Sequence, residues 1–516
     1  MASDDGECVW AGTTTGEILA WILPASAENP STIKPETIPA NRSRAAVTAL
    51  ALMPGERTLA VGDALGTVSA WHIEQADGRG VLRKNNEWPG RGVAVSALGT
   101  AETGRVLLAL EADGAARRMQ TTTGALLGSG SITAPPDASR PGTWALSGDG
   151  VWLACRDGET LAVRRIDDPH PEAGLAGYLQ PLRYEGHAEP AWIWQSTGAE
   201  DTEPKLSLVP LLFGTMKGTL YAMLLAVPLA LLSALYVSQF APPRLRGWIK
   251  PAVELMAAAP SVVVGFLAAL WFAPLLESGL LLLPLSALGM MVAGLVFLPL
   301  WRRFRARAAW ARRVERGWEF LGAAVVLAAG IAAAWWWAGP LETALFDGDF
   351  PRWLYTWAGL RYDQRNALVV SFALGFAVIP VVFSLAEDAL SSVPPTLGAG
   401  ALALGASRWQ TAWRVVTPAA APGLFAAAMI GFGRAVGETM IVLMATGNTP
   451  IMDLSPFNGM RTLSANIAVE MPEAPVGGTL YRTLFLCAVL LFIGTFILNT
   501  AAEVVRRELA RRHGRL

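Results

Sequence analysis

The sequence predicts two fold classes in one chain: an all-β, propeller-like extramembrane region, then an α-helical polytopic membrane protein. Three observations carry this. Residues 1–205 show short alternating segments punctuated by Gly and Asp, with no apolar run long enough to cross a bilayer. From residue 206 the composition turns apolar, and seven segments of spanning length follow. Charge divides at the same place: residues 1–205 hold 26 acids and 17 bases, net −9, and residues 206–516 hold 16 acids and 24 bases, net +8. The whole chain is 53% hydrophobic and 16% charged, with mean hydropathy +0.38. A soluble domain averages about 25% charged residues, so an ordinary soluble protein and a disordered one are both excluded.

The head, residues 1–166, contains four stretches that resemble each other: ECVWAGTTTGEILAWIL (7–23), VTALALMPGERTLAVGDALGTVSAWHI (47–73), VSALGTAETGRVLLALEADGAARRMQ (95–120) and TWALSGDGVWLACRDGETLAVRRI (143–166). Each pairs a strand-like run, a Gly/Asp turn and a second strand. Their spacing of roughly 40–50 residues suits a propeller blade, and LAVGDALGTVSAWHI is WD40-like. Four blades are few for a closed ring, so the ring is expected to be incomplete here; a plain β-sandwich is the other reading. Residues 167–205, rich in Pro, Gly, Glu and Asp, read as a linker.

The membrane region, 206–503, has apolar segments near 207–240, 252–276, 279–300, 320–338, 366–386, 423–446 and 480–502. LLLLPLSALGMMVAGLVFLPLW alone runs 22 residues without a charge. Residues 504–516 form a basic tail. With the C-terminus in the cytoplasm, the loops on that side (241–251, 301–319, 387–422 and 503–516) hold 17 basic residues. The opposite loops hold four, Arg352, Arg361, Arg365 and Arg461. The positive-inside rule then places the head outside the cytoplasm. The first residues, MASDDGECVWAGTTTGE, have neither a basic nor an apolar leader region. An upstream membrane segment outside this chain is therefore expected, in preference to export of the head by the first span.

The loop 387–422 carries the most specific pattern, GALALGASRWQTAWRVVTPAAAPGL (400–424). Ser391–Leu404 reads as a short helix interrupted by Pro394 and Pro395. Gly405 permits a sharp turn. Ala406–Val416 reads as a second, amphipathic helix with Trp409, Trp413 and Val416 on one face, ended by Pro418 and Pro422. From the residues alone, this is equally a knob for another protein or an interfacial helix anchored by its tryptophans.

LGASRWQTAWRVVTPAAAPG resembles the coupling loop of ABC-importer permeases, with Gly400-Ala401-Leu402 in place of the leading Glu-Ala-Ala. GFGRAVGETMIVLMATGN (431–448), APPRLRGWIKPAVELMAAAPSVVVGF (241–266) and FGTMKGTLYAMLLAVPLAL (213–231) resemble the phosphate-specific (Pst) importers, in particular their C-type permease subunit. The likeness covers 206–278 and 366–503, leaving 279–365 as an insertion of two spans. It implies the type I ABC importer permease fold in a bacterial inner membrane; the head, which the charge bias places in the periplasm with the C-terminus in the cytoplasm, is additional to the minimal family pattern, which has one membrane span before this point. It also implies four kinds of partner: a second permease subunit, a cytoplasmic ABC ATPase dimer, a periplasmic phosphate-binding protein and membrane lipid. Gly405, Ala406, Ser407, Arg408, Trp409 and Pro418 would form the ATPase coupling loop.

No GxxxxGK[ST] loop occurs, so this chain is not the ATPase, and no enzymatic activity is expected of it. Three cysteines and four histidines without ligand spacing predict no metal site; no cofactor or nucleic-acid partner is expected either. Moving an oxyanion through a low-dielectric slab needs its charge offset. Arg434 and Glu438, i and i+4 within 423–446, are expected to pair near the middle of that span and to line the substrate pathway, with Thr439 as a hydroxyl donor. Lys217 reads as a snorkelling residue with a lesser pathway role, and Glu254 and Ser261 rank below Arg434. Permeation of another oxyanion or small solute, or a membrane-anchored sensor or scaffold, are the competing functions.

Overall fold

The computed structural model describes residues 1–3, 8–22, 35–76, 79–102, 104–131, 144–157, 159–166, 170–185, 187, 189–196, 204–307 and 319–513. Arg312, Arg313 and Arg316 of the predicted basic loop, parts of the predicted linker and the last three residues of the tail lie outside them. The chain forms two compact units, Met1–Val209 with Ala474–Thr483, and Pro210–Glu473 with Leu484–Leu516.

The first unit is a succession of antiparallel sheets. The first contains β1 (Cys8–Gly12), β2 (Glu17–Ile22) and β3 (Glu36–Pro39), and the second β4 (Val47–Leu52), β5 (Thr58–Asp63), β6 (Val68–Ala76) and β7 (Arg79–Trp88). The third contains β8 (Val95–Thr100), β9 (Val106–Glu111), β10 (Ala115–Gln120) and β11 (Leu126–Ser131), and the fourth β12 (Trp144–Leu146), β13 (Trp152–Asp157) and β14 (Thr160–Arg165). The repeated Gly/Asp signal is a turn of one kind. Gly16, Gly66, Gly114 and Gly150 each follow a turn at positive φ, which only glycine adopts without strain. Asp63 accepts from the amides of Leu65 and Thr67 at 2.9 and 2.7 Å, and Asp113 and Asp149 cap their turns in the same way.

Apolar cores lie between successive sheets. Trp10 and Ile18 pack with Leu59 and Trp71, Met53 and Val68 with Leu107 and Met119, and Leu108 and Leu110 with Leu153 and Cys155. A missing Cβ makes each junction close: side chains of Val47, Val95 and Trp144 occupy the space a Cβ would need at Gly12, Gly62 and Gly99. The all-β head predicted from sequence is therefore present. Among the described residues the sheets do not close into a ring, so the defining property of a propeller is not seen.

Part of the described length of the linker expected at 167–205 is structured. A short helix, α1 (Leu175–Leu179), and a two-stranded ribbon of β15 (Trp194–Gln195) and β16 (Lys205–Leu206) lie there, and Tyr178, Leu182, Tyr184 and Trp194 are buried. Glu185 accepts from Thr58 Oγ1 and, at 2.7 Å, from Arg105 Nη2. Burial of these four bulky side chains among Pro, Gly and acids favours the ordered segment, full burial of a side chain such as Leu contributing about 1.5–3 kcal/mol.

The second unit is helical: α2 (Val209–Gln239), α3 (Pro243–Ala257), α4 (Ser261–Leu267), a π-helical segment (Ala268–Phe272), α5 (Ala273–Ser278), α6 (Leu282–Arg307), α7 (Glu319–Leu345), α8 (Phe350–Ala358), α9 (Ala367–Ser391), α10 (Pro395–Ala403), α11 (Arg408–Thr411), a second π-helical segment (Ala412–Val416), α12 (Thr417–Gly437), α13 (Met440–Ala445), α14 (Leu463–Glu470) and α15 (Thr479–His513). Seven continuous helical stretches among the described residues are long and apolar enough to cross a membrane. Helix α9 is the centre, 61% of its most apolar stretch being buried, against none for α6. It starts at Asn366, whose side chain accepts from Val369 N at 3.0 Å. Ala222, Ala226, Ala230 and Ala234 form a fully buried stripe on α2 at helical spacing. Gly423 and Gly431 let α12 approach α9 so closely that a Cβ there would meet Ala389 and Val382 at 2.5 and 2.4 Å. Helices α6 and α7, the predicted insertion, pair through Gly289 and Gly330, each of whose backbones fills the other's missing Cβ position.

One titratable group tests the core of the head. His72 is buried beside Asn85, and burial first, then the charges of Arg105 and Arg183, pushes its pKa down to about 4 from 6.5. The folded head therefore holds a neutral imidazole, and the unfolded chain binds the proton more readily between those values. The stability this contributes is complete above about pH 6.5 and is lost as pH falls toward 4. Thermal unfolding followed by tryptophan fluorescence should show this loss, and His72→Gln, which cannot protonate, should flatten it.

Candidate functional site

Helix α12 ends at Gly437, Glu438 is extended (φ −68°, ψ 123°), and α13 resumes at Met440. This corrects the predicted span and pair. The continuous helix runs Arg408–Gly437 and not 423–446, so Arg434 stands in its last turn and not at its middle. An i, i+4 pair needs unbroken helix; the break takes Glu438 off the face of Arg434, and among the described residues no ion pair joins them. Thr439 caps α13, and its Oγ1 donates to Gly437 O at 3.3 Å. Glu438 accepts from Ser464 Oγ through its backbone carbonyl at 3.0 Å.

Arg434 is exposed on this chain and opens onto a groove of about 410 Å³ between α12 and α15, whose far wall includes Asn499, Glu503 and Arg506. Its lining includes Arg434 and also Glu503, which is held by Arg506 and Arg507 at 2.7 Å. Asn499 Oδ1 reaches within 3.2 Å of the position a Cβ would take at Gly433, so the glycine admits this amide beside Arg434.

Beside the break, α4 packs on α13. A Cβ at Gly265 would lie 3.0 Å from both Met440 O and Ile441 Cα. Helix α4 itself begins after a second interruption, at Pro260, as the helix opening expected at Ser261 requires. Glu254 is exposed on the separate helix α3, outside the span in which the sequence placed it.

Three polar features were not singled out from sequence as structured. Lys217, read as snorkelling, is buried, and its Nζ donates to Asn458 O at 3.5 Å. Arg461 and Glu470 form a buried ion pair at 2.5 Å, and burial holds the guanidinium below its ordinary pKa. Asn466 is fully buried, and among the described residues neither atom of its side-chain amide has a hydrogen-bond partner. The first two depend on the irregular segment 446–462, which has no apolar periodicity and supplies Asn458 O and Arg461. The only signal was its density of Asn, Thr and Ser.

Of the predicted coupling-loop residues, Gly405, Ala406, Ser407, Arg408 and Trp409 are gathered in one turn, and Pro418 lies apart in the first turn of α12. Gly405 has φ +88° between α10 and α11. Ser407 caps α11 through a capping box: its Oγ accepts from Gln410 N at 3.2 Å, and its amide donates to Gln410 Oε1 at 2.8 Å. Ser407, Arg408 and Trp409 are exposed and Ala406 half-buried. Trp409 and Trp413 stack at 5.8 Å, and Arg408 lies 5.7 Å from the Phe240 ring while donating to Gln239 O at 3.3 Å. The expected termination at Pro418 and Pro422 does not occur. Segment Ala412–Val416 widens to a π-helix, which accommodates the proline ring, and Thr417 Oγ1 donates to Ala412 O at 2.9 Å. Helix therefore continues from Arg408 into α12.

Gly405→Val should strain this turn by about 1–3 kcal/mol, since a β-branched residue resists positive φ. Hydrogen exchange should accelerate at the amides of Ser407 and Gln410, whereas Gly405→Asn should remain near the wild type.

Residues 226–512 match the family described as "Binding-protein-dependent transport system inner membrane component". The chain is similar to the Bacillus subtilis "Probable ABC transporter permease protein YqgH", 26% identical over 304 residues, 59% of this chain and 72% of the relative. It is similar to the "Phosphate transport system permease protein PstC" of Xylella fastidiosa, 26% identical over 340 residues, 66% of this chain and 85% of the relative. The protein of the same name from Mesorhizobium japonicum is 26% identical over 313 residues, 61% and 77% of the two chains. Among solved structures, the computationally designed protein Ika4 aligns with a TM-score of 0.24 and 19% identity over 31% of this chain and 86% of its own, too slight a likeness to carry an argument.

Proposed function

The chain belongs to the binding-protein-dependent transport inner-membrane family, and from that premise we propose that it forms half of the transmembrane pathway of an ATP-driven importer of inorganic phosphate. It would assemble with a second permease subunit, a cytoplasmic ABC ATPase dimer that hydrolyses the ATP, and a periplasmic phosphate-binding protein. The similarity to phosphate transport permeases supports the substrate. The positive-inside bias supports a periplasmic head and a cytoplasmic C-terminus. The exposed turn Gly405–Trp409 is the surface offered to the ATPase, and the continuous helix Arg408–Gly437, which contains Pro418, carries its movement toward Arg434.

The observation that carries the reading is Arg434 at a helix break. A guanidinium within an apolar span is costly unless a partner, water or a substrate covers it. On this reading the second permease subunit, across the pathway, covers the side chain that is exposed on this chain. A planar fork of donors matches the oxygens of phosphate. Glu438 and Thr439, at the break itself, complete the polar lining; the carboxylate limits how tightly the anion is held, and the hydroxyl donates to it.

Radiolabelled phosphate uptake in cells dependent on this importer tests the roles. Arg434→Gln should lower uptake by about a hundredfold, the range expected for losing a charged, bidentate contact, with the protein still in the membrane. Arg434→Lys should keep an intermediate rate, having the charge without the fork. Exchanging Arg434 and Glu438 should not restore uptake, because the two do not pair. Near-normal uptake by Arg434→Gln at normal protein level would remove Arg434 from the pathway.

A further inference from the structure

Helix α3 raises a question of attachment. None of its residues is fully buried, and Ile249 and Val253 only partly cover themselves against the core. Its polar attachment is to α9. Glu387, 1% exposed, receives Arg246 Nη2 and, at 3.3 Å, Lys250 Nζ. Ser391 Oγ donates to the same carboxylate at 2.8 Å and accepts from Arg246 Nη2 at 2.7 Å, while Lys250 also reaches Asp388 Oδ1 at 2.9 Å. A buried carboxylate stripped of its cations is strongly unfavourable. Any displacement of α9 must therefore carry α3 with it or expose Glu387 to that penalty.

The two helices lead to different places. Four residues beyond Ser391, α9 gives way to α10 and the turn at Gly405. Helix α3 passes through Ala258–Pro260 into α4, which packs through Gly265 on Met440 and Ile441, directly after the break at Glu438. We propose that Glu387 is a positioning residue for transport: its clamp on Arg246 and Lys250 makes α3 follow α9, so that movement of the exposed turn reaches the break beside Arg434 through α4. The inference rests on the reading of the chain as an ATP-driven permease. Glu387 touches no substrate; it determines whether turn and break move together.

The test uses the complete importer in proteoliposomes and measures phosphate uptake and ATP hydrolysis together. Glu387→Gln keeps the side chain's size and removes its charge. The phosphate moved per ATP should fall by about tenfold, with hydrolysis within about twofold of the wild type, the scale expected for losing a coupling contact. Arg246→Gln should fall in the same direction, and Arg244→Gln, an exposed arginine on the same helix, should leave the ratio unchanged. If Glu387→Gln prevents assembly, Arg246→Gln, which leaves Lys250 on the carboxylate, is read in its place. An unchanged ratio, or a parallel fall of uptake and hydrolysis in every clamp variant, overturns the proposal. Absence of ATP-driven uptake in the wild-type complex would overturn the permease reading instead.

Discussion

The membrane unit is governed by the need to pair backbone polar groups where water is absent. A helix can be interrupted at membrane depth only where protein or a water-lined cavity covers the freed groups. Among the described residues, helix is interrupted at Ala258–Pro260, where the span Ser261–Ser278 begins, and at Glu438–Thr439, where the span Arg408–Gly437 ends, and the helix that follows the first covers the second. Gly265 is the residue that permits this, because any side chain would meet the backbone of Met440 and Ile441. Ser464 and Thr439 satisfy carbonyls at the second break. The charged residues of the candidate site stand at this seam, where polar backbone is already present and an anion would not face hydrocarbon alone.

Much of this was legible in the sequence, for physical reasons that differ by region. Apolar length located the spans, because nothing but a bilayer requires so many uncharged residues in succession. In the head, the Gly/Asp turns were legible because Gly16, Gly66, Gly114 and Gly150 are demanded by backbone conformation and not by packing. The break after Gly437 was not legible. A single glycine is tolerated in a helix, and the apolar residues on both sides of Glu438 read as one segment. Pro418 misled in the opposite direction: a π-helical segment absorbed it. The order in the described part of 167–205 was hidden by composition, since Tyr184 and Trp194 bury themselves among residues typical of loops.

The candidate site was legible as a set of residue types but not as a geometry. Arg434, Glu438 and Thr439 were found by the cost of charge and hydroxyl in an apolar run. Their relationship depends on one residue's φ and ψ. Lys217 and Arg461 were undervalued for a related reason. Their partners, Asn458 O and Glu470, lie on or beyond an irregular segment whose path follows from tertiary packing alone. The exposed turn at Gly405 was legible because a glycine permits the positive φ found there.

The measurement that bears most directly on the account is anion selectivity in a reconstituted system. The chain, purified with the subunits that accompany it, is placed in liposomes, supplied with the phosphate-binding protein outside, and loaded with ATP on the side of its C-terminus. The account predicts accumulation of radiolabelled phosphate that requires ATP hydrolysis and that excess sulfate does not displace. Phosphate entry independent of ATP, or sulfate accumulated as readily as phosphate, would contradict it.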